Sequence, residues 1–237
     1  MAINPAPSSY PQIIGVAGGG LDHAGWAANS EVAKIGQAGE VRTAKLLGAL
    51  AVPGGPTVIH DLMLPMASIT ANVDHAVVSG HNIYLIDTKV WKPGRIWTLG
   101  GKTRRGWSAF PSGDKKTMEI AQLSIAGYLR NNRVLAKLHR PLLVVWSSRQ
   151  TNFPNLFWYR PAAGTAFNGE RLDPRRLAKM FGSKPGSPEV IAALMPLVAS
   201  SQAAAKAARS APKVHSAPAP AAQTSHPLSD PYRSDDF

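Results

Sequence analysis

Asp74, Asp87 and Lys89 can be carried to one place by a single hairpin, and those three side chains suit a divalent cation and an anionic substrate. They lie in the run Asn72 to Lys89, N-V-D-H-A-V-V-S-G-H-N-I-Y-L-I-D-T-K. Its turn signal is Ser79-Gly80-His81-Asn82, because Gly80 can take the positive φ needed at the first central position of a two-residue type II′ loop. With Gly80 and His81 as the loop, Ser79 pairs with Asn82, Val78 with Ile83, Ala76 with Leu85, and Asp74 falls opposite Asp87. Lys89 shares the face of Asp87, since strand side chains alternate.

Directly opposed side chains of an antiparallel pair have Cβ atoms roughly 4.5 to 5.5 Å apart, so two carboxylates there repel. A divalent cation is the natural compensation: Mg²⁺ takes carboxylate oxygens at roughly 2.0 to 2.1 Å and binds through one or two of them plus waters and substrate phosphate. The other reading leaves Asp74 in water at a strand end and Asp87 paired with Lys89 alone. Both faces of the hairpin are largely apolar, with Ala76, Val78, Ile83 and Leu85 on one side and Val73, Val77, Tyr84 and Ile86 on the other. Such strands lie in a sheet covered on both faces. Charges that continue a buried strand toward its edge are seldom idle unless paired or metal-bound.

A third carboxylate comes from upstream. Ser30 to Leu50 has the pattern of an amphipathic helix, with Ser30 as N-cap, Glu31 in the first turn, and Val32, Ile35, Val41, Leu46, Leu47 and Leu50 as apolar positions. It contains Gly36-Gln37-Ala38-Gly39-Glu40. Each helical glycine costs about 1 kcal/mol relative to alanine, so the pair predicts a close approach of this backbone to a neighbour such as the sheet. Glu40 then joins the aspartates; the alternative is a mediocre helix with Glu40 exposed. Gln122 is a fourth candidate, on a second helical pattern from Thr117 to Asn132 with Ile120, Leu123 and Leu129 apolar. His60 and His75 sit in apolar strands and read as hydrogen-bonded structural histidines, while His81 is a turn residue. Gly15 to Gly20, G-V-A-G-G-G, imitates a phosphate loop without its Gly-Lys-Ser/Thr ending or a helix directly after it.

Taken in order, Gly36-x-x-Gly39-Glu40, Thr57-Val58-Ile59-His60-Asp61-Leu62, Val73-Asp74-His75, Ile86-Asp87-Thr88-Lys89, the glycine turn Lys92-Pro93-Gly94-Arg95-Ile96 and later Gln122 resemble the nuclease-related domain (NERD) family. That family belongs to the PD-(D/E)xK restriction-endonuclease-like nucleases, and the likeness covers about residues 30–150. It implies an α/β fold, a restriction-endonuclease-like mixed β-sheet flanked by helices, with the helix of Glu40 packed near the hairpin. It also implies that Asp74 and Asp87 hold Mg²⁺ or Mn²⁺, with the Thr88 carbonyl as a further ligand and Glu40 coordinating directly or through water. Lys89 would orient or deprotonate the attacking water and stabilise charge on the phosphate, and Gln122 would position a water or the substrate backbone. Family members often carry glutamate where this chain has the shorter Asp87. Two readings therefore stay open: a metal-dependent nuclease acting on DNA, and a nucleic-acid-binding or regulatory module that keeps the fold without turnover.

The formal net charge is +12. Lys92, Arg95, Lys102, Arg104, Arg105, Lys115 and Lys116 follow the hairpin directly and attract polyanions through counterion release. Trp91, Trp97, Trp107 and Phe110 are interleaved with them, as suits stacking on unpaired bases. The alternative is that Trp91 and Trp97 cover the sheet while the cations form a solvated face.

The 237 residues divide into a flexible leader over 1–28, one domain over 29–182, a C-terminal helix over 183–208 and a disordered Pro/Ala/Ser-rich tail over 209–237. Within the domain, Pro141 to Ser147 and Asn155 to Tyr159 read as strands, and Asp173 caps a helix that starts at Pro174 and stops at Gly182. Ser187-Pro188-Glu189 opens the last helix. The absence of cysteine excludes disulfides and thiolate metal sites and suits the cytoplasm. Neither a signal peptide nor a membrane span is evident. The alanine, proline and arginine bias suits a bacterium with a GC-rich genome. DNA is the expected partner; a homodimer is compatible with the family, and Asp230 to Phe237 could serve as a peptide ligand for a protein partner.

Overall fold

A computed structural model describes residues 12–18, 30–66, 71–149 and 152–201. The chain runs through β1 (Ile13–Ile14), α1 (Ser30–Gly48), β2 (Thr57–Met63), β3 (Asn72–Ser79), β4 (Asn82–Trp91), β5 (Gly94–Leu99), β6 (Lys102–Arg105) and β7 (Ser108–Ala109). It continues with α2 (Thr117–Asn131), β8 (Lys137–Leu138), β9 (Leu142–Ser147), β10 (Pro154–Trp158), β11 (Thr165–Asn168), α3 (Pro174–Phe181) and α4 (Pro188–Leu194).

The hairpin forms in the register its turn dictates. Ser79 pairs with Asn82, Val78 with Ile83 and Ala76 with Leu85, and Gly80 takes a φ of 57°. β3 and β4 lie in the middle of a mixed sheet of order β1-β2-β3-β4-β9-β11, with β8 pairing β4 beside β9. Helices cover both faces, which is why the strands are apolar on both sides. On one face, Ile59, Ala76, Ile83 and Leu85 pack with Ile125 and Leu129 of α2 and with Val190, Ile191 and Leu194 of α4. On the other, Val58, Val77, Ile86 and Val144 pack with Leu47 of α1 and with Leu177 and Phe181 of α3. A second sheet, of order β10-β5-β6-β7, continues from the end of β4. It is joined to the first by a separate core of Trp91, Ile96, Leu143, Val145 and Tyr159. No helix among the described residues is long and apolar enough to cross a membrane.

α1 buries a different stripe from the one its large side chains suggest. Leu47 and Leu50 are buried, but Val32, Ile35 and Val41 are exposed. The face against the sheet is instead Gly39, Thr43 and Leu47, an i, i+4, i+8 row. A Cβ on Gly39 would stand 2.4 Å from Val90 Cγ2 and 3.3 Å from Thr88 Cγ2. The glycine thus allows the close approach that its position in the helix predicts. Beneath it, Thr43 Oγ1 donates to the Gly39 carbonyl at 3.2 Å and accepts from Thr88 Oγ1 at 3.0 Å and Trp146 Nε1 at 2.8 Å. One hydroxyl, fully satisfied, ties α1 to β4 and β9.

At the ends, the structure departs from the sequence reading. Ile13 and Ile14, placed in the leader, add a short parallel strand beside Val58 and Ile59 of β2. The helix expected over 183–208 is interrupted: α4 ends at Leu194, a 3₁₀ turn spans Met195–Leu197, and Val198 bridges to Leu62. Pro196 has no N–H for the carbonyl four residues back, which stops the α-helical ladder there. Disorder expected from residue 209 onward falls outside the described residues.

Candidate active site

The β3–β4 ladder stops at His75 and Ile86, one pair short of the two aspartates. In place of the next backbone bond, the Thr88 amide donates to Asp74 Oδ2 at 2.6 Å. Lys89 Nζ donates to both oxygens of Asp87, at 2.8 and 2.7 Å, and to the Thr88 carbonyl at 3.1 Å. Asp74, Asp87 and Thr88 are buried, while Lys89 stays partly open to solvent. The hairpin therefore delivers the three groups its register predicted, at the point where the sheet opens.

Glu40 arrives from α1 and is electrostatically linked to Lys89, Asp61 and Asp87. Burial lifts its carboxyl to about 7, with Asp61 and Asp87 pushing the same way and Lys89 and the Gly18 amide opposing them. Burial likewise holds Asp74 well above the usual carboxylate range, reinforced by the charges of Asp87 and Glu40. For Lys89, burial works against the charge, but Asp87, Asp74 and Glu40 outweigh it and raise the ammonium above its ordinary value. The result is a firm cation among carboxyls that resist ionising together.

Asp61 was not among the expected site residues. The β2–β3 ladder pairs His60 with His75 and Leu62 with Val73, so Asp61 occupies the place across from Asp74. Asp61, Asp74 and Asp87 thus stand in a row on three neighbouring strands. Asp61 is buried, adopts a left-handed φ of 56°, and accepts from Asn72 Nδ2 at 2.6 Å. The equal spacing of Asp61, Asp74 and Asp87 was the signal available in the sequence. Next to the row, His60 and His75 meet Nδ1 to Nδ1 at 2.9 Å, the hydrogen-bonded structural role expected of them.

Gln122 does not join the cluster. Its amide donates to the His139 carbonyl at 3.2 Å, and His139 is bonded to Ile83 and Asn82 at the opposite end of β4. Ile83 is four residues from Asp87, roughly 13 Å along a strand. The register of α2 over the sheet turns Gln122 toward the β8–β9 connection.

Among the described residues, no group of three or more histidines and carboxylates is arranged to hold a metal ion. Glu40, Asp74 and Asp87 therefore do not form a ready three-carboxylate cage. What fits is a cation that takes one or two carboxylates and completes its shell with water and phosphate, as Mg²⁺ does. Buried, mutually repelling Asp74 and Asp87, with the Thr88 carbonyl beside them, are oxygen donors of that kind.

The basic residues lie on the second sheet and the segments that flank it. Arg95 is on β5, Lys102, Arg104 and Arg105 are on β6, Lys92 follows β4, and Lys115 and Lys116 precede α2. The aromatic residues divide. Trp91 and Phe110 meet edge to face at 5.0 Å in the core between the sheets, so they are not available for stacking. Trp107 is exposed, and Phe157 and Trp158, not singled out in the sequence, are exposed beside it on the second sheet.

No curated protein and no solved structure matches the chain. Residues 35–144, from α1 through β9, match the family model described as nuclease-related domain. That stretch carries Glu40, Asp61, Asp74, Asp87 and Lys89, so the segment that holds the acidic cluster is the one similar to the NERD family.

Proposed function

We propose that the chain is a metal-dependent deoxyribonuclease that hydrolyses phosphodiester bonds at the Asp74–Asp87–Lys89 cluster. The observation that carries this reading is the buried pair of aspartates at the open end of two central strands, with Lys89 clasping one of them. Asp74, Asp87 and the Thr88 carbonyl would hold Mg²⁺ or Mn²⁺. When bound, the cation polarises a phosphate oxygen and lowers the pKa of a coordinated water. Lys89 remains charged, so its role is to hold Asp87 and to stabilise the negative charge that grows on the phosphate. Glu40, titrating near neutrality, would accept the proton of the attacking water as the new P–O bond forms and the bridging P–O bond breaks, and the departing sugar oxygen would take a proton from solvent to leave as a hydroxyl. The basic residues of the second sheet bind the DNA backbone, and a chain without cysteine suits the cytoplasm.

The test is cleavage of supercoiled and linear plasmid with Mg²⁺ or Mn²⁺, against EDTA, Asp87→Asn and Lys89→Met. Metal-dependent cleavage that falls at least about 100-fold in both variants supports the proposal. Cleavage that survives EDTA or Asp87→Asn defeats it. The closed ion pair between Lys89 and both oxygens of Asp87 favours a second reading, a binding module without turnover. In that case DNA binding survives EDTA and Asp87→Asn, and no variant or metal produces cleavage.

A further inference from the structure

Outside the acidic cluster, the most distinctive surface is the outer face of the second sheet. Cross-strand pairing sets one file across it: Trp158 of β10 beside Trp97 of β5, and Trp97 beside Arg104 of β6. Arg95, Trp97, Leu99, Trp107 and Trp158 line an open cavity of about 500 Å³. Trp107 is 89 % exposed and Trp158 60 %, with Leu99 and Phe157 also exposed. Such a concentration of bare rings marks an interaction site. Two of its aromatic residues are fixed in place. Trp97 Nε1 donates to the Gly106 carbonyl at 2.8 Å, Arg104 Nη1 donates to the Trp107 carbonyl at 2.8 Å, and the Arg104 guanidinium lies 5.9 Å from the centre of the Trp97 ring.

Charge complementarity identifies the occupant. From Gly94 to Ala109 the chain carries Arg95, Lys102, Arg104 and Arg105 and no Asp or Glu, and β10 has no acid either. Asp114, which reaches β6, is turned inward onto the amide of buried Thr103 at 2.8 Å. Flat apolar rings interleaved with unopposed guanidinium groups fit a polyanion whose own rings are free to stack. A duplex offers the phosphates but keeps its bases paired and stacked inside.

We infer that this face is a binding platform for unpaired bases of single-stranded DNA. β5 begins at Gly94, three residues after β4 ends at Trp91, and Trp91, Ile96 and Tyr159 lock the two sheets together. A strand lying on the tryptophans therefore leads toward Asp87 and Lys89. The guiding of substrate rests on the nuclease proposal; the binding of unpaired bases does not.

The test uses the full chain in EDTA, with fluorescence anisotropy on labelled oligo(dT), on an abasic polymer and on a duplex of equal length. Trp107→Ala and Trp158→Ala remove exposed rings, and unchanged circular dichroism and thermal midpoint verify the fold. Each should weaken oligo(dT) binding about 5- to 100-fold, as expected for loss of one base–aromatic stack. Duplex and abasic binding should stay within about twofold, and Trp158→Tyr should retain most of the affinity. Undiminished oligo(dT) binding in both alanine variants, or an equal loss for all three ligands, overturns the inference. A parent that never cleaves while the variants lose oligo(dT) binding keeps the platform and defeats the nuclease. Cleavage by the parent with no binding loss in either variant does the reverse.

Discussion

Replacing Gly39 by alanine should loosen the fold and displace the site together. The new Cβ would lie 2.4 Å from Val90 Cγ2, whereas carbon atoms settle at about 3.5 to 4.0 Å. More than about 1 Å must be opened between α1 and β4. The methyl has little room to turn aside, because Thr88 Cγ2 is 3.3 Å away and Trp146 Cδ1 3.7 Å away. Overpacking of this kind costs about 1 to 3 kcal/mol. A contact as close as 2.4 Å belongs in the upper half of that range, and alanine's better helix propensity returns up to about 1 kcal/mol, so a net loss of about 1 to 2 kcal/mol is expected in urea unfolding at constant slope. Glu40 is the next residue, so α1 cannot retreat without carrying it from Lys89, and a shift of about 1 Å can cost on the order of 100-fold in rate. Val90→Ala removes the obstructing methyl. The double variant should therefore recover at least about 0.5 kcal/mol relative to the sum of the single changes. A Gly39→Ala protein as stable as the parent, or more so, would refute the close approach, as would strict additivity with Val90→Ala.

Asp74→Asn should abolish cleavage yet stabilise the metal-free protein at pH 8 in urea unfolding, since burial and the charge of Asp87 oppose ionisation of Asp74. Equal or lower stability would argue against the repulsion. Lys89→Met should remove the clasp on Asp87 and reduce kcat by at least about 100-fold, with a smaller effect on DNA affinity measured in EDTA. Stability should also fall in acid. Burial, with the His60 charge adding to it, pushes His75 down to about 3 from a normal value of 6.5. Between those pH values the unfolded chain binds the proton that the folded chain refuses, so stability drops by about 1.4 kcal/mol per pH unit as pH falls below 6.5. His75→Asn, if it folds, should flatten that slope; an unchanged slope would place the acid sensitivity elsewhere.

The hairpin was legible in the sequence because one turn fixes every pairing behind it. Gly80 set the register, and the register set Asp74, Asp87 and Lys89. α1 was legible in extent but not in orientation, because its large residues Val32, Ile35 and Val41 outweigh Gly39 and Thr43 in any hydrophobic pattern, while contact with the sheet selects the small ones. The place of Gln122 was not legible for a related reason: a helix can be read from its period, but where its axis lies over a sheet depends on side chains such as Ile125 and Leu129 and the strands they meet. Trp158 and Phe157 were hidden because β10 joins β5 from some sixty residues away in parallel, and such long-range pairings leave no local mark.

The same packing explains how the acidic cluster keeps its arrangement. Burial and neighbouring negative charge oppose the ionisation of Asp74 and Glu40, and a soft framework would relax by moving the carboxyls apart. Here each is held by a separate restraint: Asp61 by Asn72, Asp74 by the Thr88 amide, Asp87 by Lys89, and Glu40 by the helix that Gly39 and Thr43 fasten to β4. Three of those restraints converge on Thr88, whose amide, hydroxyl and carbonyl bind Asp74, Thr43 and Lys89 respectively. On the proposed reading, a cation entering between Asp74 and Asp87 would take over part of the role of Lys89 and relieve their repulsion, so its binding would strengthen the native state by mass action. On that reading, the stability of the metal-free protein and its readiness to bind metal would work against each other, and Thr88 is the residue through which both would pass.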